Sequence, residues 1–75
     1  MHVFTNPHGY VFQIATFSEA PGAAATGPPS DEWAWFAGTV WRAAACRGCM
    51  THLGWSFERG AAMFWGLITA RLAEQ

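Results

Sequence analysis

A chain of 75 residues makes one small domain and leaves no room for a second core. A formal net charge of −1, four scattered Arg and no Lys provide no basic stripe for nucleic acid and no attraction to an anionic membrane. No apolar run approaches the ~18 residues of a membrane span, the N-terminus MHVFTNPHGY lacks the features of a signal peptide, and two closely spaced cysteines fit a reducing compartment, so a cytoplasmic protein is expected.

In chain order, Asn6-Pro7-His8-Gly9 reads as a turn, because Pro fixes one φ and Gly permits a positive one. Residues 10–17, YVFQIATF, alternate as a strand does, with Tyr10, Phe12 and Ile14 set against Val11, Gln13 and Ala15. Residues 18–31, SEAPGAAATGPPSD, have three Pro, two Gly and no periodicity, and are expected to form a long loop. A second strand follows at about 39–45, with Thr39, Trp41 and Ala43 on one face and Val40, Arg42 and Ala44 on the other. Cys46–Cys49 turns the chain into a third strand near 52–58, in which Leu53, Trp55 and Phe57 alternate with His52, Gly54 and Ser56. After a connector at 58–62, MFWGLITARL reads as a strand, since aromatic and β-branched residues favour one. The expected architecture is mostly antiparallel β.

Cys46-Arg47-Gly48-Cys49 has the spacing that lets two thiolates reach one tetrahedral ion from a tight turn. A closed structural site needs four ligands, and the sequence offers these two thiols and at most His52 beside them. A disulfide or a pair of idle thiols is the competing reading. A redox dithiol is disfavoured, because it would precede a helix rather than join two strands.

Five Trp and six Phe are a heavy aromatic load for such a chain. If the strands on either side of the Cys pair are partners, Trp41 and Trp55 converge, with Phe57 on the same face and Trp35 at the exit of the long loop. These rings could simply fill the core. Indole walls meeting at one point, however, leave an angular gap that aliphatic residues would fill better, and such a box suits a flat uncharged ring or a quaternary ammonium. No Ser or Cys nucleophile has a convincing base, and no carboxylate sits where it would orient His52, so an enzyme is not expected.

Taken together, NPHGYV (6–11), WFAG (35–38), Trp41, C-x-x-C-x-x-HLGW-x-F (46–57) and FWGL (64–67) resemble the CULT domain, the thalidomide-binding domain family of cereblon, including its small single-domain prokaryotic relatives. The resemblance runs from about residue 3 to 73, and residues 1–75 are taken as one partial domain of this kind. It implies a β-tent, with antiparallel sheets joined at a zinc-knuckle apex. It also implies a non-enzymatic aromatic cage for cyclic imides (glutarimide, succinimide, thalidomide-like) or uracil-like rings. The cage residues fall on Trp35, Trp41, Trp55 and Phe57, with Asn6 and Pro7 beside the ligand; Glu32, apart from the resemblance, reads as a solvated loop residue next to Trp33 that lies close enough to edge a pocket. The position whose backbone meets the imide, usually His in the family, is Trp33 here. Zinc would be structural and held by Cys46 and Cys49. The family's second Cys-x-x-Cys lies upstream of the NPxGYV turn, so the N-terminal part of the tent is expected to be missing, and three outcomes stay open for the zinc: absence, completion by His or solvent, or sharing between the two chains of a homodimer. The alternatives are a tent-fold enzyme like the methionine sulfoxide reductases, with a thiol nucleophile, and a degenerate fragment whose aromatics form a core or a dimer interface.

Overall fold

In the computed structural model, which describes residues 2–72, the alternating segments become six strands: β1 (His2–Thr5), β2 (Val11–Phe17), β3 (Ala23–Ala25), β4 (Val40–Cys46), β5 (His52–Arg59) and β6 (Ala62–Ile68). A short 3₁₀ turn, Thr69–Arg71, follows. All pairings are antiparallel and give one sheet of order β1-β2-β6-β5-β4-β3. The mostly β expectation holds, with the described strands in one open sheet rather than in separate ones. None of the described residues forms a helix long and apolar enough to cross a membrane.

The β1–β2 hairpin is set by its turn. The Asn6 side-chain Oδ1 accepts from the backbone N–H groups of His8 (3.0 Å) and Tyr10 (2.9 Å), and Gly9 supplies a φ of +88°. The segment at 18–31 is not structureless throughout, as its composition implied: Ala23–Ala25 forms β3, paired with Ala44–Cys46. Three alanines carry no alternation, so this strand is defined by its partner and not by its own propensity.

Directly opposed residues share a face. Trp41 stands opposite Phe57, Ala43 opposite Trp55, and Phe57 opposite Phe64. On the other side of β6, Ile68 faces Ile14, and Phe12 faces Phe4. One face of the sheet is therefore largely aromatic, and the segment between β3 and β4 folds over it. Phe36 meets Phe4, Phe57 and Phe64 edge-on, with centroids 5.0–5.2 Å apart, while Trp35 stacks on Phe4 at 4.9 Å. Two polar clamps hold this flap. The Thr39 hydroxyl donates to the Phe36 carbonyl (2.6 Å), and the Arg59 guanidinium donates to the Ala37 carbonyl (2.6 Å). On the opposite face Val3, Val11, Phe17 and Met63 are exposed.

The β4–β5 ladder shifts register between Ala44 and Ala45: Ala44 pairs with Gly54 and Ala45 with His52, so Leu53 is the extra residue. At Gly54, φ is +156° and a Cβ would lie 2.1 Å from the Gly66 carbonyl oxygen, which leaves room only for hydrogen.

Candidate functional site

Over the aromatic face, beside Trp35, the flap leaves a cavity of about 520 Å³, within the usual size of a small-molecule site. Three stretches of chain line it: Asn6, Pro7 and His8 from the first turn, Trp33 and Trp35 from the flap, and Trp41, Trp55 and Phe57 from β4 and β5. Seven of these positions are the ones that the resemblance assigns to ligand binding, and the fold brings them around one space. His8 is the addition. Its neighbours Asn6 and Pro7 pointed to the turn, and the two N–H bonds to Asn6 Oδ1 wrap that turn so that His8 reaches the same rim.

Each wall is fixed from behind. Phe57 forms the floor, is 1% exposed and stacks on Phe64 at 5.2 Å. Trp55 and Trp35 meet at 4.7 Å with their planes 76° apart, and Phe12 braces both. Trp41 is different. It makes no ring–ring contact with a described residue, and its Nε1–H donates to the Glu32 carbonyl at 2.6 Å. That bond holds the indole upright beside the cavity and satisfies its one polar atom. Glu32 thus serves through its main chain, and its carboxylate does not line the cavity.

Trp33 is 70% exposed at the mouth, with φ +59°, a conformation sparsely populated by residues other than glycine. The Ser30–Trp41 bridge, with N–H···O distances of 2.9 and 2.8 Å, fixes the start of the flap and helps impose this conformation. Asn6 uses its Oδ1 for the turn, so its amide N–H₂ has no partner among the described residues and remains a donor at the cavity wall. The site therefore has indole and phenyl walls with a few polar groups at one side, which suits a planar ring with polar edges.

Among the described residues no thiol lines the cavity. Ser56 is buried and paired opposite Arg42 and Trp65, away from the cage residues Trp55 and Phe57 that flank it along β5. His52 packs edge-on against Trp55 at 5.0 Å, and its Nε2 bonds the Gly54 carbonyl. Cys46 and Cys49 are free thiols at the far tip of the β4–β5 hairpin. The Thr51 hydroxyl and backbone N–H, then the Cys46 side chain, hold the Cys49 thiol below its ordinary pKa. The pair suits a zinc ion chemically, but the described residues contain no group of three or more His, Cys, Asp or Glu able to hold a metal, and His52 is engaged elsewhere. Within one chain the donors amount to half a closed site.

Fold and site together define a small antiparallel β domain with an aromatic cage. No family model matches the chain. It is 39% identical over 77 aligned residues to protein cereblon of Xenopus tropicalis, and 38% identical to those of Gallus gallus and Danio rerio, each match covering 96% of this chain. The chain belongs with the cereblon proteins as a cereblon-like domain of the CULT kind, and it spans 17–18% of the length of these relatives.

Proposed function

We propose that this domain is a non-enzymatic binding module whose cage takes a small cyclic imide, such as a glutarimide or succinimide, or a uracil-like ring. The observation that supports this most is Trp41. A ring serving as core filling would rest on its neighbours, whereas this indole makes no ring contact with a described residue, its N–H tied back to the Glu32 carbonyl, beside an open cavity. A planar guest between Trp41 and the Trp35–Trp55 corner replaces water on apolar ring faces, and its carbonyls and N–H meet the Asn6 amide and the backbone near Trp33.

A guest of about eight heavy atoms, at about 0.3–1.5 kcal/mol per atom, gains about 2–12 kcal/mol on binding. Micromolar affinity, about 8 kcal/mol, lies inside that range. Calorimetric titration with glutarimide should therefore give a saturable heat with one ligand per chain. No saturable heat for glutarimide, succinimide or uracil up to about 10 mM, beyond the ~1 mM dissociation constant of a 4 kcal/mol interaction, would remove the reading. In this reading zinc would be structural, with Cys46 and Cys49 supplying two of its ligands at the hairpin tip.

A further inference from the structure

We propose that the exposed indole of Trp33 forms a second compartment at the mouth of the cavity, which takes a methylated ammonium group attached to the caged ring. The inference rests on the cage reading above and names the substituent that the guest carries.

The cavity is larger than the ring that the cage holds. A ring of about eight heavy atoms, each allowed the ~30 Å³ that a water molecule takes in the liquid, fills about 240 Å³. The cavity measures about 520 Å³. Its lining is graded: Phe57 is buried, Trp35, Trp41 and Trp55 are half-buried, and Pro7, His8 and Trp33 are exposed. With the ring at the Trp35–Trp55 corner, the space left over lies toward the exposed end.

Trp33 stands at that end in a costly arrangement. It keeps a φ of +59°, uncommon for a bulky residue, and leaves 70% of its surface in water. Its ring meets no other ring among the described residues. Strain and exposure that bring no ring packing within the chain point to a contact made with a guest. The family usually has His at this position, so the indole is a feature of this chain.

Charge selects a cation for this contact. Indole offers a cation the most favourable of the aromatic faces, and methyl groups on the ammonium let it lie on the ring with little hydration to lose. Asp31 and Glu32, next to Trp33 in the chain, are exposed, and neither carboxylate has an ion-pair partner among the described residues. The four Arg are engaged elsewhere. Arg42 stands opposite Ser56 on the far face of the sheet, Arg47 bonds the Pro21 carbonyl, Arg59 that of Ala37 and Arg71 that of His52. His8, on the same rim, is the one lining residue able to gain a positive charge, so the test is run at pH 8, above the titration of free imidazole.

Calorimetry compares two glutarimides that differ in one atom, one with a short arm ending in trimethylammonium and the other with the same arm ending in tert-butyl. The ammonium compound should bind about 2- to 5-fold more tightly, the range of an exposed cation–π contact. The ratio should fall to about one in Trp33→Asn, because Asn tolerates the left-handed backbone and removes only the ring. Taking the ratio within each protein cancels any change in affinity for the imide itself. If the variant does not fold, nuclear Overhauser contacts from the N-methyl protons to the Trp33 ring of the unaltered chain read the same placement. Equal affinities for the two compounds, an unchanged ratio in Trp33→Asn, or N-methyl contacts to another indole in place of Trp33 would each overturn this proposal and leave the cage standing. If neither compound binds, and glutarimide itself does not, the cage reading falls and this proposal with it.

Discussion

Gly54→Ala is expected to abolish cooperative folding or to lower the melting temperature by at least about 10 °C. The new Cβ would fall 2.1 Å from the Gly66 carbonyl oxygen and 2.8 Å from the Leu67 Cα, both backbone atoms of β6, so no side-chain rotation relieves the overlap. Moving β6 away would break the ladder that joins β5 to β2 through β6. Overpacking costs about 1–3 kcal/mol, and forcing a side chain onto φ +156° costs about 1–3 more. Against the ~4–11 kcal/mol typical of 75 residues, that is a large share, and each kcal/mol is worth about 4–8 °C at this size. Gly22→Ala is the control: nothing lies within 4 Å of its added Cβ, and the melting point should hardly move. A Gly54→Ala protein as stable as its parent would mean that β5 and β6 are not this close.

Trp41→Ala should weaken glutarimide binding by about 5- to 150-fold, the range that corresponds to about 1–3 kcal/mol for one lost aromatic stacking surface. The substitution removes a cavity wall and also the bond from Nε1 to Glu32 O that steadies the flap. Trp41→Phe separates the two effects, since it keeps a ring facing the cavity and loses only the hydrogen bond. It should bind more weakly than the parent and more tightly than Trp41→Ala. Trp65→Phe, paired opposite Phe17 and Ser56 and outside the cavity lining, should leave affinity unchanged. Equal affinity for the parent and Trp41→Ala would place the ligand elsewhere.

The strands that carry the cage were legible because their side chains alternate. In β4 and β5 the Trp41 and Trp55–Phe57 positions fall on one face by period alone, and the Cys46–Cys49 turn makes the two strands partners. The alternation does not set the register. Trp41 lies opposite Phe57 and not Trp55, and that pairing goes with a ladder that must absorb Leu53 as an extra residue near the tip. β3 was invisible because alanine has no faces to alternate. β1 has only four residues, too few for a period to show. The aromatic flap could be read as ligand walls, but Phe36, which anchors it among Phe4, Phe57 and Phe64, looked like any other apolar loop residue. Glu32 acts through a carbonyl that every residue possesses, and no side-chain pattern can announce that. His8 reaches the rim because Asn6 bends its own turn, a tertiary consequence of a local bond.

The indole N–H resonances of the five tryptophans give the most direct view of whether a planar guest enters between the rings. In a glutarimide titration followed by ¹H–¹⁵N correlation spectra, the signals of Trp35, Trp41 and Trp55 should move together and saturate at a common midpoint, while that of Trp65 stays in place. Spectra that do not change, or a Trp65 signal that shifts as far as the other three, would contradict an open cage on this face of the sheet.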